Sequence, residues 1–288
     1  MSVAILGAGR IGSYIASQLA ENTQNDIHLL ARGNYEAIKE SGITVTDDET
    51  GETLTTKRFT LYRDVRDLPP CDLVIITVHV HQNRELLTQD LPLFRPHTRV
   101  VSLQNGLDFE QGLAEMLPSH TPLYSGTCWI KISQIGPAHI RHHFGKNIKL
   151  GPPETKIKDF FTQAGFSLDL TDDVKSVQLT KMALNIPFIA LMAKYGKSTT
   201  EILADPELNA QRQALQNELA EVSFAIGSPL DLDLISRVVE DLKKTPNIPP
   251  ASREKLAEAM KYELKQHIPP LIRILHVPLL KSMLLKIE

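Results

Sequence analysis

The sequence holds only two cysteines, Cys71 and Cys128, and they lie far apart. It contains no CxxC pair and no cysteine/histidine spacing of the zinc type, so neither a disulfide framework nor a metal site is expected. Both thiols read as reduced core residues. An excess of one charge is also missing: 31 Lys and Arg stand against 34 Asp and Glu, a formal net charge of −3. That balance gives no electrostatic case for a nucleic-acid partner. No stretch of 18 apolar residues occurs, so no membrane span is expected. The first residues, MSVAILGAGRIG, lack the basic start and long apolar run of a signal peptide, and a cytoplasmic location is expected. The apolar-rich stretch 267–287 is broken by Pro269, Pro270 and Pro278 and reads as packed helices. Their apolar faces are expected to cover a homodimer interface. Internal repeats and low-complexity tracts are absent as well.

What is present is ordinary globular material. The 288 residues are 42% hydrophobic and 23% charged, enough for two domains with real cores. Residues 3–6 form a short aliphatic run that leads straight into glycines, and Ile11, Ile15 and Leu19 then recur at helical spacing. Residues 27–30, 73–78 and 100–103 read as buried strands. Residues 34–41 read as a helix closed by Gly42. Residues 44–61 contain a turn-rich centre and read as a hairpin, and 126–151 reads as antiparallel strands. From about Asp172 the pattern becomes helical over 174–195, 206–226, 232–244 and 252–266. Alternating strands and helices predict a doubly wound parallel sheet. The expected fold is therefore an α/β Rossmann-type domain over residues 1–168, followed by an all-α domain over 169–288.

Gly7, Ala8, Gly9, Arg10, Ile11 and Gly12 spell GxGxxG between a predicted strand and a predicted helix. In that context the first glycine allows a tight turn, the second lets backbone approach a pyrophosphate, and the third lets helix and strand pack closely. The helix N-terminus then offers N–H groups and a positive dipole end to phosphate. The plain alternative is a glycine turn. After the second strand an NAD site carries an acid that accepts from the ribose 2′-hydroxyl. Here Arg32 stands in that stretch, with Asn34 as a further polar candidate. A guanidinium forks onto a 2′-phosphate and cannot accept a hydrogen bond, which favours NADP(H) over NAD.

The segments ILGAGRIGSYIASQLA, LLARGNYEAIKESGITV, LVIITVHVHQ, LQNGLDFEQGL, GPAHIRHHFGKNIKLG, LTKMALNIPFIALMAKYGKSTTEIL and NELAEVSFAIG together resemble the ketopantoate reductase (2-dehydropantoate 2-reductase) family over nearly the whole chain. The resemblance implies NADPH-dependent reduction of a 2-keto acid, with 2-dehydropantoate going to pantoate as the family reaction. It implies Lys181 as the proton donor to the developing alkoxide and Asn185, one helical turn on, as a substrate ligand. It implies Asn105 beside both the nicotinamide and the reacting carbonyl, and Gln82 beside the cofactor. Four positions depart from the family. His79 replaces a lysine after the buried strand, although it is still expected to contact the cofactor. Ile189 replaces a second helix asparagine. The segment Pro249, Pro250, Ala251, Ser252 and Arg253 replaces a serine-rich substrate loop, with Ser252 and Glu263 as the carried-over substrate residues and Arg253 as a rival anchor. The C-terminal end is also altered. These departures keep open a reductase of another keto acid, imine or amino-acid conjugate, and a non-catalytic NADPH-binding protein.

Overall fold

The computed structural model describes residues 1–245, 256–258, 260–262 and 264. The chain divides into two compact units. The first holds Met1–Gln104 and Phe109–Val174, and the second holds Asn105–Asp108 and the chain from Lys175 onward.

The first unit runs β1 (Ser2–Leu6), α1 (Arg10–Asn22), β2 (Asp26–Leu30), α2 (Tyr35–Ser41), β3 (Ile43–Asp47), β4 (Thr53–Thr56), β5 (Thr60–Tyr62), β6 (Leu73–Ile76), α3 (Asn83–Leu86), β7 (Arg99–Ser102) and α4 (Glu110–Ala114). It continues through the long strands β8 (Leu123–Gly136) and β9 (His139–Gly151) to α5 (Thr155–Gln163) and β10 (Ser167–Leu170). In β1, β2, β6 and β7 the apolar residues are buried without alternation, the pattern of strands covered on both faces. Cys71 and Cys128 are both buried thiols, as expected.

Six strands pair in parallel in the order β5-β2-β1-β6-β7-β8. Numbered within this run the order is 3-2-1-4-5-6, the doubly wound arrangement whose direction reverses between β1 and β6. The sheet is not purely parallel, however. β8 and β9 form a long antiparallel pair, β9 pairs in parallel with β3 and β10, and β3 and β4 close an antiparallel hairpin. The reason is connectivity. The hairpin inserted after α2 is carried across to β9, away from its sequence neighbours. β4 and β5 lie at opposite ends of the strand path, yet only residues 57–59 separate them in sequence. The sheet therefore curls. α1 lies against β1, β2, β3, β4, β8 and β9, and is buried on more than the single face its Ile15 and Leu19 spacing suggests. Small residues at Gly12, Ser13, Ala16, Ser17 and Ala20 make that enclosure sterically feasible. β10 stays with the sheet, so this unit runs to Val174 rather than ending at residue 168.

Apart from Asn105–Asp108 and short connections, the described part of the second unit is helical: α6 (Val174–Tyr195), α7 (Thr199–Ala204), α8 (Pro206–Ala225) and α9 (Leu232–Lys244), with further helical residues at 256–258, 260–262 and 264. α6 is long and apolar enough to cross a membrane by length and composition alone, although the sequence contains no unbroken apolar run of that length. Two thirds of its apolar window (67%) is buried inside the protein, as in a core helix that is apolar all round. Short polar residues start the other helices. Ser198 accepts from Glu201 N–H while the Glu201 carboxylate accepts from Ser198 N–H, a reciprocal cap. Asp205 caps α8 ahead of Pro206, and Asp231 caps α9. Asp231 N–H also donates to Thr180 Oγ1 at 3.1 Å, which fixes the start of α9 to α6. The stretch 267–287, on which a homodimer was expected, lies outside the described residues. Ser198→Ala should remove the α7 cap and cost about 1 kcal/mol, read as a lower urea midpoint at unchanged slope.

Candidate active site

The three glycines after β1 serve three different steric needs. Gly7 has φ +113, its N–H donates to Leu30 O at 3.2 Å, and its carbonyl accepts from Thr77 Oγ1 at 2.9 Å. A Cβ on Gly7 would meet Val78 Cγ1 at 2.7 Å, so the loop is pressed against the end of β6. A Cβ on Gly12 would lie 1.8 Å from Gly7 O, inside the turn itself. Gly9 differs: its backbone is ordinary extended chain (φ −76, ψ −168), and a Cβ there would meet no atom within 4 Å. Two of these glycines thus satisfy the protein, and the third leaves open space in front of the loop.

That space faces the start of α1. Gly9 is its N-cap residue and offers no side-chain cap, and the first turn holds no acid. The leading N–H groups are thus left for an outside acceptor, and the dipole end is not offset by local negative charge. Ala8 is buried, Ile11 is half-buried and Arg10 is exposed. Burial holds the Lys131 ammonium of β8 below its usual range, and the Arg10 charge pushes in the same direction. The positive end of the α1 dipole, with Arg10 beside it, suits the loop to a pyrophosphate. Ala8 O accepts from Ser13 Oγ at 3.1 Å and from Asn34 Nδ2 at 2.6 Å. Asn34, considered from sequence for a phosphate contact, here donates to the glycine loop itself.

Arg32 follows β2 with a partly exposed side chain, and its Nη1 lies 3.0 Å from Glu85 Oε1 on α3. After β6, Gln82 Oε1 accepts from His79 N–H at 3.2 Å, and the exposed His79 ring stacks on His81 at 5.6 Å between centroids. Gln82 thus folds its own loop. Behind that loop is a buried polar group for which no sequence motif gave a signal. Gln104 Nε2 donates to Val78 O (2.7 Å) and Asn83 Oδ1 (2.8 Å), and its Oε1 accepts from Asn83 Nδ2 and Ser102 Oγ, both at 3.1 Å. Every polar valence of the Gln104 amide is used, so the loops after β6 and β7 are locked to each other.

The remaining site residues belong to the helical unit. Between Gln178 and Ala193 of α6 all residues are buried except Lys181, Asn185, Ile189 and Met192. Their spacing of four, four and three puts them on one face. Asn105 is exposed at the head of a short segment containing Gly106 (φ 151) and Asp108 (φ 54). Although it follows a sheet strand, Asn105 groups with the helical unit, together with Lys181 and Asn185. Ser252, Arg253 and Glu263 lie outside the described residues.

The strand order, the glycine loop at its reversal point and the uncapped helix behind it define a protein of the Rossmann dinucleotide-binding class. Residues 3–155, more than half of the chain, match the family model described as Ketopantoate reductase PanE/ApbA, and the chain belongs to that family. It is 26% identical over 249 residues to a 2-dehydropantoate 2-reductase of Nostoc sp., covering 82% of this chain and 77% of the relative. Its fold resembles that of a 2-dehydropantoate 2-reductase from Geobacter metallireducens, with TM-score 0.84, 24% identity and full coverage of both chains. It also resembles D-mandelate dehydrogenase solved with NADH and anilino(oxo)acetate, with TM-score 0.76 and 19% identity over 100% of this chain and 97% of that one.

The glycine geometry separates two substitutions. Gly12→Ala should destabilise the protein by about 1–3 kcal/mol, because the new methyl group meets backbone. Gly9→Ala should leave the melting temperature within about a degree of wild type and still weaken dinucleotide binding at least tenfold. Thermal melting and a fluorescence titration with NADPH check both.

Proposed function

We propose that this protein reduces the ketone of a 2-keto acid using NADPH, with 2-dehydropantoate as the leading substrate. The observation that carries the reading is the half-buried α6 stripe bearing Lys181 and Asn185, in the same unit as Asn105, in a chain with an intact glycine loop. The loop and α1 N-terminus would hold the pyrophosphate, and Arg32 the 2′-phosphate, with Glu85 giving up its pair when the phosphate arrives. A reduced dinucleotide held there supplies the hydride that a carbonyl carbon accepts. The protein's own task is the oxygen. Lys181 donates a hydrogen bond to the carbonyl oxygen, stabilises the negative charge that develops on it and releases a proton to it. Asn185 and Asn105 supply neutral amide donors that orient the keto acid without adding charge.

Ile189 supports a second reading, in which the substrate is a 2-keto acid with a less polar far end. The family resemblance calls for an amide at that position, and an isoleucine offers no hydrogen bond. A site that loses such a partner loses affinity for the hydroxyl it would have met.

The deciding experiment follows NADPH oxidation by the full chain with 2-dehydropantoate and with apolar 2-keto acids of similar size. Lys181→Ala should lower kcat at least a hundredfold while NADPH binding is retained. Full activity in that variant would remove Lys181 as the acid. Arg32→Ala should weaken NADPH about tenfold to a hundredfold and NADH far less, since charge-assisted hydrogen bonds are worth about 1.5–3 kcal/mol. Tight NADPH binding without turnover of any keto acid would instead favour a binding protein.

A further inference from the structure

Away from the glycine loop, three ligand-type side chains converge inside the sheet unit. Asp47 ends β3, Glu49 lies in the turn towards β4, and His142 stands on β9 as the register partner of Asp47. Their ligand atoms all lie within 4.8 Å of one another. His142 Nδ1 is 3.2 Å from Asp47 Oδ2 and 3.9 Å from Glu49 Oε2. The imidazole is fully buried, and its Nε2 lies 2.8 Å from Gly145 O. A neutral ring that donates from Nε2 carries a lone pair on Nδ1. That nitrogen is buried without a hydrogen-bond partner and faces two carboxylates. A lone pair and two anions repel, so the arrangement calls for positive charge among them, either a proton on Nδ1 or a bound cation.

A second orphan marks the same place. The Tyr14 hydroxyl of α1 is buried without a partner, on a ring stacked 4.7 Å from that of His142. Burial, and then the charges of Asp47 and Glu49, push this phenol well above its usual range. Asp48, between the two acids, is turned elsewhere, to His143 at 2.7 Å and Arg141 at 3.3 Å.

We propose that Asp47, Glu49 and His142 bind one divalent transition-metal ion, for which zinc has the best-suited chemistry. One imidazole with two carboxylates is a borderline donor set that favours zinc over the all-oxygen preference of magnesium or calcium. Ligands about 2.0–2.1 Å from a tetrahedral zinc stand about 3.3 Å apart. The His142–Asp47 separation of 3.2 Å is already such an edge. Glu49, 3.9 Å from His142 Nδ1 and half exposed on a turn, closes to such an edge by moving about 0.6 Å towards the ring. The Nε2 donation to Gly145 O is the outer contact that a ligating histidine normally makes to fix its tautomer. Lys146 Nζ, 3.8 Å from Asp47 Oδ2, is the competing cation and lowers the affinity. Bound there, the ion clips the β3–β4 turn to β9 and takes no part in the reduction.

The test is isothermal titration of the metal-stripped full chain with zinc chloride, alongside thermal melting with and without zinc. The wild type should take up one ion per chain and melt higher when loaded. Glu49→Gln and His142→Gln should each weaken binding at least tenfold and abolish the rise in melting temperature, while Lys146→Met should tighten binding. NADPH binding, unchanged throughout, reports that each variant has folded, and Glu49→Gln on its exposed turn carries the test if His142→Gln does not fold. Absence of saturable zinc binding by the wild type would mean that a proton or Lys146 alone balances the cluster, and would overturn the proposal. Zinc uptake of equal affinity in Glu49→Gln and His142→Gln would overturn it too, by assigning the ion to other histidines.

Discussion

The fold around the glycine loop depends on the approach of Gly12 to Gly7 O, where even a methyl group would sit 1.8 Å from the oxygen. That contact lets α1 begin directly beneath the turn that ends β1. From there α1 runs inside the curl of the sheet rather than across one open face. Much else follows from that position. The β3–β4 hairpin can cross to β9 because α1 fills the space between. The helix N-terminus is fixed at the strand-order reversal, where loops after β1 and β6 meet. The residues enclosed within α1 are mostly small, since a helix walled by strands on several sides has no room for large side chains on every face.

The second organising element is the Gln104–Asn83 pair. A buried amide is costly unless its donors and acceptors are all met, and here both amides bind each other while Gln104 also binds Val78 O and Ser102. Asn83 opens α3, the same short helix that presents Glu85 to Arg32. The buried network therefore sets the position of an exposed pair. An exposed ion pair contributes about 0–1 kcal/mol, so Arg32 is held in place without being held tightly. Under the proposed function, a doubly charged phosphate would compete with that one carboxylate. Preorganisation comes from the dry amides and exchangeability from the wet salt bridge.

How far the sequence could be read depended on how local the signal was. β1, β2, β6 and β7 were visible as short apolar runs, and α6 and α9 as helical stretches with the limits the structure has. The glycine loop was legible because its spacing encodes its own turn. The curl was not, because it depends on β9 pairing with β3 across some ninety residues. Gln104 was invisible for the same reason: its partners are at 78, 83 and 102, and nothing in the string QNG distinguishes a network residue from its exposed neighbour. The absence of a metal motif was read from cysteine and histidine spacing, whereas Asp47, Glu49 and His142 meet only through strand register. Asn105 follows the strand read at 100–103, and its grouping with the helices has no local signal in the sequence.

The α6 stripe bears on what kind of substrate fits the proposed chemistry. Its first half is polar, Lys181 and Asn185, and its second half is apolar, Ile189 and Met192. Reduction of any 2-keto acid needs donors at the ketone, and those needs are the same whatever the rest of the molecule carries. Discrimination must come from the other end. An apolar wall distinguishes neighbours in a series by only about 1–3 kcal/mol per methylene, and it rejects an added hydroxyl weakly. A wall built to hydrogen-bond a hydroxyl rejects its absence by several orders of magnitude. Under the proposed reading, Ile189 in place of an amide exchanges strict recognition for tolerance on this face. Such a protein should accept a range of keto acids with similar rates, and the ratio of kcat/KM between a hydroxylated substrate and its deoxy analogue measures how far that exchange has gone. Under the proposed reading Ile189→Asn should raise that ratio at least tenfold while leaving NADPH binding untouched; a ratio that does not move would place the hydroxyl-binding determinant outside α6.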